Sequence, residues 1–269
     1  MPGQMTQNHN QPARREALFM AVMLGGASWP IQAAEHEPEA TPYRPTVSSP
    51  ASLSEPGWLE VEFGGQRVQG GSDQRRDSWP VLAKLAMNND WGVVVISELD
   101  VQRTDINGEK FRGTGDTTVL VKHRIPAATG NSAWGVEAGF KSPTANDDIG
   151  GGGTDTIING IYSADLAAYH FDFNLGATYI DTINLGESRT QIGWAAAASR
   201  NLDEQWGVFG ELSGNFRRGT ATSAQLLAGF SYGYSKRVVF DGGVAQGLAA
   251  ASSDWIAFTG VTVLLGRLW

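Results

Sequence analysis

The chain has 269 residues with 34 Gly, 9 Trp and 41% hydrophobic residues, enough apolar side chains for one large core. Its formal net charge of -8 argues against a nucleic-acid partner, which needs a basic face. The absence of cysteine excludes a disulfide framework, a thiolate metal site and a catalytic Cys.

Near the N-terminus, Arg14 and Arg15 precede an apolar run from Ala17 to Ala27, and the small residues Ala33 and Ala34 follow Pro30. That order predicts a signal peptide over residues 1–34, cleaved at Ala33 or Ala34. The run is shorter than the roughly 20 apolar residues of a spanning helix. Residues 35–57 hold Pro38, Pro42, Pro45, Pro50 and Pro56 among Glu, Ser and Thr. Such a composition has no core of its own, so the expectation is a flexible, solvated periplasmic lead-in.

From Trp58 onward, apolar residues alternate with small or polar ones in segments of about ten residues, separated by Gly, Asn, Asp and Ser clusters. Leu59, Val61 and Phe63 alternate with Glu60 and Glu62, which places the two carboxylates on one face. Tyr169, Phe171, Phe173 and Leu175 alternate with His170, Asp172, Asn174 and Gly176 in the same way. The pattern predicts strands near 58–69, 79–87, 91–102, 115–126, 133–142, 155–165, 169–182, 189–200, 205–216, 221–235, 237–247 and 255–269. The expected fold is all-β: a transmembrane antiparallel up-and-down β-barrel of about 12 strands over residues 58–269. Charges and glycines on the polar face suit a solvated lumen, and Trp58, Trp79, Trp91, Trp134, Tyr179, Trp206, Trp255 and Trp269 fall near strand ends, where aromatic girdles lie. Val261, Val263, Leu265 and Trp269 share a parity, interrupted by Arg267, and a terminal aromatic of this kind reads as a signal for the barrel-assembly machinery.

Two stretches carry a family pattern. Residues 113–124 read Gly-Thr-Gly-Asp-Thr-Thr-Val-Leu-Val-Lys-His-Arg, and 134–144 read Trp-Gly-Val-Glu-Ala-Gly-Phe-Lys-Ser-Pro-Thr. The Gly-rich loop Gly150 to Asp155, the run Asp172 to Gly176 and the closing Asp241-Gly242-Gly243-Val244 with Gly247-Leu248, Asp254 and Gly260-Val261-Thr262 follow in order. This resembles the outer-membrane family named for the meta-pathway of phenol degradation, whose members are described as transporters. The resemblance implies a barrel that passes small solutes, aromatic or hydrophobic ones among them.

The inward parity gathers Lys122, Arg124, Glu137, Lys141, His170, Asp172 and Asn174 as lumen-lining candidates, whose mixed charges would bias the solutes that pass. Gly150 to Gly153 is followed by neither Lys-Ser nor Lys-Thr, so a phosphate loop is excluded and an external loop expected. The reading is a channel for small solutes without cofactor, metal or covalent chemistry, partnered by outer-membrane lipid. Its rivals are a barrel enzyme acting on lipids, which an outward His123 or a Ser close to His170 would favour, and a structural barrel with a plugged lumen; an open polar lumen would favour transport.

Overall fold

A computed structural model describes residues 37–128 and 130–269, so the expected signal sequence lies outside the described residues. Thirteen strands follow in chain order: β1 (Trp58–Gln69), β2 (Arg75–Ala86), β3 (Trp91–Thr104), β4 (Lys110–Gly113), β5 (Thr117–Pro126), β6 (Ser132–Ser142), β7 (Asp155–Leu166), β8 (Tyr169–Tyr179), β9 (Thr190–Asn201), β10 (Trp206–Arg217), β11 (Ser223–Ser235), β12 (Val238–Gly247) and β13 (Trp255–Arg267). Twelve of them pair antiparallel around a closed ring, with β3 joined to β5 and β1 to β13. The short β4 pairs only with Val101–Thr104 at the end of β3 and extends that hairpin beyond the ring. Closure satisfies the edges of the twelve ring strands, which hydrocarbon demands because it offers no hydrogen bonds to an open one.

Side-chain parity separates two environments. On the outside, Val121, Val136, Phe140, Ile158, Leu175, Leu226 and Val244 stand 40–66% exposed, an apolar surface that only lipid would cover. On the inside, Glu60, Glu62, Lys84, Lys122, Glu137 and Glu211 are buried. Short turns gather at one end and longer loops at the other, which marks the periplasmic and external rims respectively. Tilted aromatic pairs such as Trp134 with Tyr162 (4.7 Å between centroids) and Trp206 with Tyr232 (4.8 Å) lie near the periplasmic rim.

The strands depart from the sequence expectation in a few places. β2 begins at Arg75 rather than at 79, because Arg67 on β1 and Arg75 both reach Asp77 (Arg67 Nε to Oδ1 2.6 Å), and these cross-strand charges continue the ladder through a polar stretch. Trp79 therefore lies mid-strand, stacked on Phe63 at 5.7 Å, rather than at a strand end. β4 occupies part of the expected 103–114 loop, while β8 and β13 stop at Tyr179 and Arg267.

The largest difference concerns residues 37–57. Instead of trailing into solvent, this segment enters from the periplasmic rim, where Ala40 N bonds Lys236 O (2.7 Å), and crosses the lumen. It turns back to the same rim, where Gly57 N reaches Ala86 O (2.8 Å) and β1 begins. Tyr43, Ser48, Ala51 and Ser54 are all buried along that path. The segment has no core of its own, as its composition says. The barrel interior supplies one.

Candidate functional site

The lumen at the level of this plug is built from acceptors. Glu60 accepts from Thr41 N (3.1 Å), and Glu62 from Tyr43 N and Arg44 N (2.8 Å each). Glu211 accepts from Val47 N (3.1 Å) and Ser48 N (2.7 Å), Asn174 Oδ1 from Ser49 N (3.0 Å), and Ser163 Oγ from Ala51 N (2.7 Å). Seven of the eight backbone N–H groups between Thr41 and Ala51 thus end on barrel side chains. Pro42, Pro45 and Pro50 have no N–H, so each removes a donor that a dry site would otherwise have to satisfy. Charge-assisted bonds to carboxylates are about twice as strong as neutral ones, so a chain without a hydrophobic stripe can still be held firmly.

Two lysines balance part of that negative charge. Lys84 Nζ lies 2.6 Å from Glu60 and 2.5 Å from Glu62, and Lys122 Nζ lies 3.1 Å from Glu137. Lys122 also donates to Ser49 Oγ (3.0 Å) and to Pro50 O, and Lys84 to Thr41 O. Between the two ammonium groups stands the ring of Tyr43, with its centroid 3.9 Å from Lys84 Nζ and 4.0 Å from Lys122 Nζ. The ring packs on Leu82, Val94 and Leu120, an apolar spot on the inner wall, and its hydroxyl donates to Ser52 O (2.6 Å). Burial, followed by the neighbouring carboxylates, raises the Tyr43 phenol well above its ordinary pKa, so it remains a neutral donor.

Glycine on the inner wall makes room for this path. A Cβ on Gly64 would collide with the Arg44 guanidinium, and one on Gly135 would fall 3.2 Å from Ala51 Cα.

The sequence candidates divide into groups. Lys122, Glu137 and Asn174 meet at the plug, where Asn174 holds both Ser49 N (3.0 Å) and Ser49 O (2.9 Å). His170 and Asp172 lie nearby, with Nε2 3.2 Å from Asp172 and Nδ1 2.6 Å from Asp165. Lys141 is separate, in the external half, and bridges Asp116 (3.2 Å) and Asp155 (2.8 Å). Asp116 in turn accepts from Ala145 N (3.2 Å) and Gly151 N (3.1 Å), which pins the Gly-rich loop. Desolvation opposes ionisation of Asp116, yet these amides and Lys141 hold its carboxyl below the usual carboxylate range. Arg124 is half-buried at the periplasmic end of β5, with no side-chain hydrogen bond or ion pair among the described residues. Trp269 is 57% exposed, and its indole lies against Gly57 at the start of β1.

A hydroxyl does come near His170, but in the wrong order for nucleophilic catalysis. Ser163 donates to Asp172, the carboxylate that His170 also contacts, so its proton faces a carboxylate rather than an imidazole nitrogen. His123 points outward, the orientation that the enzyme reading asks for, but it stacks on Trp91 at 4.1 Å and its Nδ1 lies 3.1 Å from Asp90 O, with no serine hydrogen-bonded to it among the described residues.

Tyr43, Glu60, Glu62, Lys84, Ser163 and Glu211 were absent from the sequence candidates. The shared face of Glu60 and Glu62 was legible, but charges on that face read as lining a solvated lumen rather than as buried acceptors. Their partners lie in a segment whose composition reads as solvated.

The plug has open space on both sides. Toward the external rim a cavity of about 460 Å³ has Val47 in its lining, and toward the periplasm one of about 850 Å³ is lined in part by Thr41, Arg44, Thr46 and Ser52.

No family model matches the chain, and no characterised protein matches it by sequence. The fold is similar to that of solved outer-membrane proteins. The COG4313 outer membrane channel from Pseudomonas putida F1 superposes with a TM-score of 0.62 at 11% identity, covering 80% of this chain and 98% of that one. The KdgM porin gives 0.53 at 10% identity, covering 77% and 99%. The ring of twelve strands, the apolar exterior and this likeness define the class: an outer-membrane β-barrel with a polar lumen that holds its own N-terminal segment.

Proposed function

We propose that this barrel is a small-solute channel of the outer membrane whose bore is set by residues 37–57. The observation that carries the reading is the pair of cavities, one toward each rim, with the plug bordering both. A polar interior beneath an apolar exterior is what an aqueous path requires. The motifs that resemble the phenol meta-pathway family lie on the barrel wall and external loops, and they support a transporter of that kind. Lys122, Glu137 and Asn174 act in this reading through the plug, His170 and Asp172 line the periplasmic cavity, and Lys141 acts through the external loop that Asp116 holds. The plugged structural barrel is the second reading, favoured by the seven amides that bind the plug to the wall.

Planar-bilayer recordings of the refolded barrel with and without residues 37–55 separate the two. A small wild-type conductance that rises several-fold on deletion supports the channel. A silent wild type that opens only on deletion supports the structural plug. Equal conductance in both would show that current does not pass through this lumen.

A further inference from the structure

The external cavity has a chemistry of its own. Its wall crosses four neighbouring strands, where Thr178, Gln191, Ser213, Asn215, Ser223 and Gln225 all have inward parity. Register makes them one patch: Thr178 faces Gln191, Asn215 faces Ser223, and Ser213 faces Gln225 across adjacent strands. None of the six makes a side-chain hydrogen bond among the described residues, and none is a sealed, unsatisfied polar group; Ser213 is buried beneath Gln225, and the amides and hydroxyls of the other five open on the cavity. Other polar groups of the lining are used by the protein itself: deeper in the lumen Asn159 donates to Glu137 (3.1 Å) and Asn174 (2.9 Å), and in the loop between β12 and β13 Ser252 donates to Ala224 O (2.6 Å). Among the described residues Glu137 is the only ionisable one in the lining, and Lys122 neutralises it. Gly193, in the middle of the patch, would place a Cβ in open space.

We infer that this patch is a binding site for an uncharged, polyhydroxylated solute of mono- or disaccharide size. An ion finds no free countercharge here. Val47 and Ile157 also border the cavity, but an apolar or aromatic solute would strip water from five polar groups and return no hydrogen bonds. Hydroxyls both donate and accept, as do the amide and hydroxyl groups that face them. The volume of about 460 Å³ falls within the range of about 300–1,000 Å³ typical of small-molecule pockets. The inference deepens the channel reading by naming a solute class, which differs from the aromatic solutes that the family resemblance implies.

Binding can be measured without any current. The refolded barrel, in an amine-oxide detergent that carries no sugar headgroup, is titrated calorimetrically with sucrose, glucuronate and toluene. Sucrose is expected to bind saturably and more tightly than the other two. The double variant Asn215→Leu/Gln225→Leu, which loses two neutral hydrogen bonds, should bind at least about tenfold more weakly. Gly193→Phe should abolish binding by filling the space while leaving every polar group in place. Retention of heat-modifiable gel mobility shows that each variant has folded. Absence of saturable sucrose binding, equal affinity in the variants, or tighter binding of toluene or glucuronate would overturn the inference. Bilayer conductance of the wild type decides the channel reading separately.

Discussion

Tyr43 is where the charge balance of the lumen and the position of the plug meet. Its ring fills an apolar spot beside two buried ammonium groups, and the adjacent amides occupy the carboxylates that pair with one of them. Truncation to alanine removes a buried aromatic, a change that costs roughly 3–5 kcal/mol in protein cores. Here that loss falls on plug docking rather than on the strand ladder. Tyr43→Ala should therefore raise single-channel conductance while the barrel remains heat-modifiable, and Tyr43→Phe, which loses only the bond to Ser52 O, should stay near wild type. Lys122→Met leaves the buried Glu137 without its cation, and breaking such a pair costs roughly 3–5 kcal/mol. Loosening of the plug should appear as faster proteolysis within residues 37–57. Unchanged conductance in Tyr43→Ala and unchanged proteolysis in Lys122→Met would remove this anchor from the account. The candidate list reached Lys122 and Glu137 through strand parity. It could not reach Tyr43, because a lone aromatic among prolines has no period.

At the scale of the strand, one residue of parity decides between lipid and lumen. Phe173 on β8 is 47% exposed on the outer face and stacks with Phe171, whereas Thr178 on the same strand opens on the external cavity. A lysine facing the midplane of the bilayer costs roughly 2–4 kcal/mol, while one facing water in the lumen costs little. Phe173→Lys should lower the folded fraction in a lipid-vesicle refolding assay, and Thr178→Lys should refold as the wild type does. Equal yields from both would contradict the assigned faces. The strands themselves were legible because alternation is a local pattern. The early start of β2 was hidden because its ladder is continued by arginines paired to Asp77, and charged residues in sequence resemble a loop. The path of residues 37–57 was hidden for a related reason: the acceptors of their amides lie 18 to 164 positions away along the chain.

For the whole molecule, closure of β1 on β13 leaves no edge in the ring, and the apolar exterior requires a bilayer. The protein should fractionate with the outer membrane and migrate faster on gels before boiling; recovery from the soluble periplasm would contradict the class. Trp269, exposed beside the entry to β1, should matter for delivery more than for stability. Its deletion is expected to reduce assembled barrel in cells while barely shifting the urea midpoint of refolded protein, and undiminished assembly would rule it out as a signal. By itself the sequence determined the barrel class, the strand count of the ring, the sidedness of the strands with the clearest alternation and the expectation of a polar lumen. All of these follow from period-two alternation and the strand lengths needed to cross a bilayer. Only the tertiary structure decided what fills that lumen. The plug is held by hydrogen bonds between a proline-rich chain and carboxylates on distant strands, and such bonds depend on where the closed ring places its inner side chains.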